Sequence, residues 1–197
     1  MILAEPPLPT NKSEALQMSD ARIVILRVAT AVELEAAYLG GGKFTEVTGV
    51  EKPDGWPEKL DMFRYAIGRL KSNPEEARWR IYFFLDESGR LIGSGGYHGP
   101  PDDSGCVEIG YEIAPAFQSQ GFGSSAVAEL LAHAFSDEQV QVVTAKTKPE
   151  LNPSVKILRR AKFYNKGPVY DAAYDETQWA WGLPRPVYEE SREQAAK

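Results

Sequence analysis

Residues 106–124 read CVEIGYEIAPAFQSQGFGS. The first nine alternate: Val107, Ile109, Tyr111 and Ile113 share one face, and Glu108, Gly110 and Glu112 the other. Period two predicts a strand over Cys106–Ala114. After it, Val127, Leu130, Leu131, Ala134 and Phe135 recur at helical spacing, which predicts a helix over Gly123–Ser136. Between the two lies a glycine-bearing turn, Gln118 to Ser124. A glycine-rich turn that feeds a helix N-terminus is a physical anion site. The first helical N–H groups lack partners, the helix dipole is positive there, and glycine lets a backbone approach a pyrophosphate without a Cβ clash. The plain alternative is a helix start with two turn glycines.

Two nucleotide-loop readings fail on chemistry and spacing. A Walker loop needs Gly-Lys-Ser/Thr, and Gly123-Ser124-Ser125 lacks the lysine. A dinucleotide fingerprint needs the strand directly before the glycines and an acid about 20 residues on. Here Gly121 comes seven positions after Ala114, and the far region is Thr144 to Thr147. The remaining candidate is an acyl-CoA pyrophosphate loop of the form Gln/Arg-x-x-Gly-x-Gly/Ala.

The flanking chain reads as a mixed α+β order. Arg22–Val28 is a strand candidate, and Thr30 with Glu33 forms a capping box for a helix that ends at Gly40-Gly41-Gly42. Asp54–Ser72 is predicted as a second helix, with Leu60, Phe63, Ile67 and Leu70 on one face. Trp79–Leu85 and Arg90–Tyr97 form a hairpin around Asp86-Glu-Ser-Gly89. Val140–Thr147 is a strand. Asn152-Pro153 starts a further helix, with asparagine as cap and proline at the first helical position. Phe163–Val169 and Glu176–Trp181 are late strands. Residues 1–20 are predicted to be an arm, residues 21–183 one domain, and residues 184–197 a polar tail, a short helix or frayed.

Composition bounds the function. Of 197 residues, 22 are Lys or Arg and 28 Asp or Glu, a net charge of −6 that argues against a general nucleic-acid binder. Apolar runs fall short of the ~18–20 residues that span a bilayer. MILAEPPLPT has neither the basic nor the apolar region of a signal peptide, so the expected address is the cytoplasm. A single cysteine, Cys106, excludes an intrachain disulfide, and two isolated histidines lack metal-ligand spacing, so no metal is expected. His98 ends the hairpin strand near the expected acceptor position, and His133 falls off its helix's apolar stripe and is expected in solvent.

Three stretches together resemble one family. GYEIAPAFQSQGFGSSAVAELLAHAF looks like the cofactor motif of the GNAT N-acetyltransferases. VVTAKTKPELNPSVKILRRAKF looks like that family's next strand and its Asn-x-Ser helix ending in Phe, and IGSGGYHGPPDDSGCVEIGYEI looks like the preceding hairpin. The wording is nearest the ribosomal-protein N-acetyltransferase branch, and the resemblance runs from about Ala21 to Leu183. It implies a central, mostly antiparallel sheet with helices on both faces that splays open beside its fourth strand.

The resemblance also implies the site. Acetyl-CoA would enter as co-substrate, with its pantetheine arm beside Ile113 and Ala114 and its pyrophosphate on the loop Gln118, Ser119, Gln120, Gly121, Phe122, Gly123 and Ser124. Asn152 would cap its helix and reach the pantetheine amides, with Ser154 beside it. An ammonium must lose a proton before it can attack, so a base is needed. Glu108 best matches the family's base position, with Glu112 second and a water chain with no single base as the remaining alternative. The family's acid tyrosine position is Leu158 here, which leaves Tyr164 as a substitute, and Lys162 stands where the family has glycine. Lys156, Arg159, Arg160 and Lys162 form a basic helix face, either solvated or toward the CoA 3′-phosphate. Trp56, Phe63 and the triple-glycine turn would wall the acceptor cleft on one side, and Tyr174–Trp181 on the other. An open polar cleft favours a peptide amine and a closed aromatic one a small amine. The alternative from another class is a non-catalytic acyl-CoA-binding or regulatory domain. Exposed strand edges beside a splayed sheet invite a homodimer.

Overall fold

The capping box forms as read. Thr30 Oγ1 accepts from Glu33 N at 3.3 Å, and Glu33 Oε2 accepts from Thr30 N at 2.9 Å. It joins strand β1 (Ile25–Val28) to helix α1 (Ala31–Leu39). The computed structural model describes residues 22–40, 42–58, 60–172 and 175–195. The expected arm over residues 1–20 lies outside these, as do Gly41 and Tyr174. The chain continues through α2 (Lys43–Thr48), α3 (Leu60–Ser72), a 3₁₀ turn at Pro74–Trp79, and the strands β2 (Ile81–Leu85), β3 (Leu91–Tyr97) and β4 (Cys106–Ile113). Then come α4 (Phe122–Phe135), β5 (Val142–Thr147), α5 (Pro153–Arg160), β6 (Tyr164–Asp171), β7 (Glu176–Pro184) and α6 (Arg185–Ala195).

The seven strands make one open sheet in the order β1-β2-β3-β4-β5-β7-β6. Every pair is antiparallel except β4 with β5. β2 shows why both faces are covered: Tyr82 and Phe84 join a core beneath α4 and α5, while Ile81 and Phe83 join a second core with α1, α2 and α3. β3 is thin because its neighbours come close. A Cβ on Gly96 would lie 1.8 Å from the Arg80 carbonyl oxygen, so no other residue fits without moving the backbone. Among the described residues no helix is long and apolar enough to cross a membrane.

The helix expected over Asp54–Ser72 begins only at Leu60. Asp54 and Gly55 form a turn, and Pro57 disfavours helical backbone at Trp56. The six-residue α2 between Gly42 and Gly49 was not expected, being too short to show a period. Trp79, expected to open a strand, closes the 3₁₀ turn instead. The segment after β7 is a docked helix: Arg185 donates to the carbonyls of Val140, Phe135 and Asp137, and Tyr188 stacks on Phe135 at 4.5 Å.

Two residues sit elsewhere than the sequence suggested. Trp56 is core and not cleft wall: it is 1% exposed, with Nε1 donating to Ser94 Oγ at 3.0 Å. His133 is not in solvent. Its ring bridges the hydroxyls of Tyr82 and Tyr97 at 3.0 and 2.9 Å, and burial pulls its pKa below the ordinary histidine value.

Lys162 completes the end of α5 despite not being glycine. It adopts φ 67°, and Phe163 N returns to Leu158 O at 3.0 Å. A left-handed residue with a Cβ costs roughly 1–2 kcal/mol, which glycine avoids at some entropic cost. Lys162→Gly is therefore expected to raise stability by about 1 kcal/mol in urea unfolding, and a lower midpoint would refute the strain.

Candidate active site

β4 and β5 pair in parallel from Cys106↔Val142 to Ile109↔Ala145 and then part. β4 keeps its partner β3 as far as Ile113↔Gly93, and β5 keeps β7 through Thr147↔Trp179. The sheet is split beside β4, as the family resemblance implied. His98 N donates to Glu108 O, and Ala114 N to Ile92 O, so the even-numbered residues of β4 turn their backbone groups toward β3. By alternation, the N–H groups of Tyr111 and Ile113 face the gap.

A cavity of ≈ 320 Å³ opens at this split. Four charged or titratable groups from four segments meet along its wall. Glu108 Oε1 lies 3.3 Å from His98 Nδ1, and Glu108 Oε2 lies 3.3 Å from Lys146 Nζ on β5. Lys146 Nζ also reaches Asp171 Oδ2, at the end of β6, at 3.0 Å. Burial opposes the Lys146 charge, but the Asp171 and Glu108 carboxylates outweigh it and hold its pKa above the ordinary lysine value. Lys146 is thus a fixed cation and not a base. The His98 side chain is 47% exposed. Its Nε2 lies over Gly110, 3.5 Å from where a Cβ would stand, an ordinary contact distance that places the ring above the strand.

Glu112 has a different setting. Ser94 Oγ donates to its Oε1 at 3.2 Å and Glu58 N to its Oε2 at 3.0 Å. It ties the segment before α3 to β4. Asn152 and Ser154 also line the cavity, as does Leu158, where the resemblance implies a tyrosine. Asn152 Oδ1 caps α5 by accepting from Val155 N at 3.0 Å, and its Nδ2 makes no hydrogen bond among the described residues.

At the mouth of the split lies the glycine turn. Gly121 takes φ 92° and precedes the first residue of α4. Among the described residues no hydrogen bond occupies the backbone N–H groups of Gln120, Gly121, Phe122 or Gly123, whereas Ser124 N is taken by Gly121 O at 3.1 Å. A Cβ on Gly123 would lie 2.9 Å from Ile157 Cδ1 and 3.7 Å from Ile113 Cγ1, so the turn, the strand end and α5 meet at this residue.

A family profile described as an acetyltransferase (GNAT) domain matches residues 24–164. The chain belongs to the GNAT acetyltransferases. It is 30% identical over 92 residues to the N-acetyltransferase p20 of Bacillus licheniformis, a stretch covering 47% of this chain and 52% of that one. With the N-acetyltransferase YoaA of Bacillus subtilis it shares 25% over 146 residues, 73% of this chain and 81% of the relative. In fold it is similar to the spermidine/spermine N-acetyltransferase SpeG of Vibrio cholerae (TM-score 0.64, 14% identity, 86% and 98% of the two chains). It is also similar to Mycobacterium smegmatis RimJ in complex with CoA-disulfide (TM-score 0.59, 18% identity, 85% and 84%).

GNAT enzymes use acetyl-CoA, and the residues here fit such a ligand. Four open N–H groups at a helix N-terminus suit a pyrophosphate. The glycine at φ 92° supplies the turn without strain. Lys156, Arg159 and Arg160 stand exposed on α5 beside this mouth. Two side chains of the loop are engaged locally: Gln118 Nε2 donates to Ile113 O at 2.9 Å and Gln120 Nε2 to Ala116 O at 2.8 Å. Ala114 is buried in the core under α3, with its N–H bonded to Ile92 O, whereas the N–H edge of Tyr111 and Ile113 is the one that faces the gap.

Tyr164, the substitute acid, does not reach the site. It is 52% exposed and lies over Gly182 of β7. Sequence reasoning missed Lys146, Asp171 and Ser94. Nothing local marks them, because each enters the cavity from a separate strand.

Proposed function

We propose that the protein moves the acetyl group of acetyl-CoA directly to a primary amine. The observation that carries this is the junction of an anion-receiving helix N-terminus with a split sheet whose cavity holds Glu108. The pyrophosphate binds the N–H groups of Gln120 to Gly123, and Asn152 Nδ2 meets the pantetheine amides. The amine loses its proton to Glu108, with His98 against that carboxylate as the more exposed partner. The Tyr111 N–H, facing the gap, polarises the thioester carbonyl. Cys106 lies at the far end of β4, so attack is direct, with no acyl-enzyme.

Glu58, Glu108, Glu112 and Asp171 line the cavity against Lys146 and Lys148, and Phe63 and Tyr111 are its benzenoid rings among the described residues. A polar, carboxylate-rich wall supports a peptide N-terminal amine over a small aromatic one. Faster turnover of unblocked peptides than of diamines is expected, and the reverse order would replace the peptide by a small amine.

The test begins with melting temperature. Acetyl-CoA at 100 times its Kd should stabilise by about 2.7 kcal/mol, a rise of about 5–10 °C. Gly121→Glu puts a Cβ at φ 92° and a carboxylate on the anion site, so this variant, folded, should show no rise. Absence of a rise in the wild type overturns the proposal. A rise without thiol release from any amine leaves an acyl-CoA-binding domain.

A further inference from the structure

Lys146 has a donor to spare. Its ammonium carries three N–H groups, and its partners among the described residues are two carboxylates, Asp171 Oδ2 at 3.0 Å and Glu108 Oε2 at 3.3 Å. The side chain is 31% exposed and lines the cavity, so a further N–H can meet a bound molecule. The cavity wall therefore sets an acceptor, Glu108 Oε2, beside a donor, Lys146 Nζ, 3.3 Å apart. The other carboxylate oxygen, Glu108 Oε1, faces His98.

That pair has a chemical complement. In an α-aminoacyl group the amine nitrogen and the carbonyl oxygen of the same residue sit about 3 Å apart, as the N–Cα, Cα–C and C=O bond lengths require. The nitrogen donates and the oxygen accepts. On the acetyltransferase reading above, with Glu108 receiving the amine proton, we infer that Lys146 donates to the first carbonyl of a peptide acceptor and so selects an α-amine over a side-chain amine or a polyamine. The amine meets Glu108 while the carbonyl beside it meets Lys146. A lysine side chain or a polyamine has no oxygen next to its reacting nitrogen. Either leaves the Lys146 N–H unfilled, and a polyamine adds positive charge beside it.

Charge favours a peptide carbonyl over the carboxylate of a free amino acid. Glu108 and Asp171 already set two negative charges against the one on Lys146. The whole lining holds Glu58, Glu108, Glu112 and Asp171 against Lys146 and Lys148. A further carboxylate on Lys146 would be desolvated among like charges, whereas a carbonyl brings no charge and needs only the one hydrogen bond.

Two substrates of one shape test this: an unblocked peptide, and the same peptide with its first peptide bond replaced by a trans alkene, which removes the carbonyl and keeps the outline. Wild type should favour the peptide about 10- to 100-fold in kcat/KM, the span of a hydrogen bond to a charged group. Lys146→Met keeps the length and removes the donor. Its preference should fall about tenfold or more, through a loss on the peptide, whereas Lys146→Arg still donates and should keep a preference. Both substrates meet the same Glu108, so any change in the strength of the base cancels in the ratio. The peptide should also outpace a free amino acid and a diamine. A wild type with no preference for the peptide overturns the inference, and that comparison needs no variant to fold. So does a Lys146→Met enzyme that loses both substrates in equal proportion, or faster turnover of the free amino acid or the diamine. A wild type that binds no acetyl-CoA, or releases no thiol from it with any amine, would instead overturn the acetyltransferase reading on which this rests.

Discussion

Glu108→Gln is expected to lower kcat by about 10²- to 10⁴-fold, the usual worth of a positioned base. The substitution keeps size and shape and removes the charge. Lys146 still has Asp171 at 3.0 Å, so the wall keeps an ion pair and the fold should hold. His98, whose Nδ1 stands 3.3 Å from Glu108 Oε1, loses the group that would hold an imidazolium. The melting rise with acetyl-CoA should survive, because Glu108 lies away from the anion turn. Glu112→Gln is the comparison. That carboxylate accepts from Ser94 and Glu58, so its loss should loosen the segment before α3 and cost kcat less than tenfold. Steady-state kinetics on both variants decide the assignment: equal effects, or a Glu108→Gln enzyme within threefold of wild type, would remove Glu108 as base.

What could be read from the chain was whatever is written locally. The alternation of Cys106–Ile113, the Thr30–Glu33 box and the Asn152-Pro153 start each need fewer than ten residues, and each formed. The glycine turn was legible because its chemistry lies in consecutive N–H groups. The long-range pieces were not. His98, Glu108, Lys146 and Asp171 are brought together by sheet order, and spacing along the chain carries no sign of it. His133 misled for a related reason: it lies off its helix's own apolar stripe, yet Tyr82 and Tyr97 of two neighbouring strands reach it.

Glu76→Ala should cost about 3–5 kcal/mol of stability, the cost of leaving a buried charge without its partner. The stranded group is Arg80, whose side chain is 3% exposed and whose Nε donates to Glu76 Oε2 at 3.1 Å. Arg69 and Asn73 bond the same carboxylate, which the Arg69 and then the Arg80 guanidinium hold down to about 2. Unfolded, the same glutamate titrates near 4.5. Between those values the unfolded chain binds more protons, so stability rises with pH. The glutamate's contribution is complete above about 4.5 and is lost as pH falls through about 2. Urea midpoints should therefore show a wide gap between wild type and Glu76→Ala at neutral pH that narrows steadily below pH 4.5. A gap under about 1 kcal/mol at pH 7 would mean that Arg80 finds water or another partner. The same arginine also donates from Nη1 to the His98 carbonyl, so it fixes the backbone from which the His98 ring enters the cavity. Glu76→Ala, assayed cold enough to stay folded, should then lose kcat as well as stability, because His98, beside the proposed base Glu108, has lost one of its anchors.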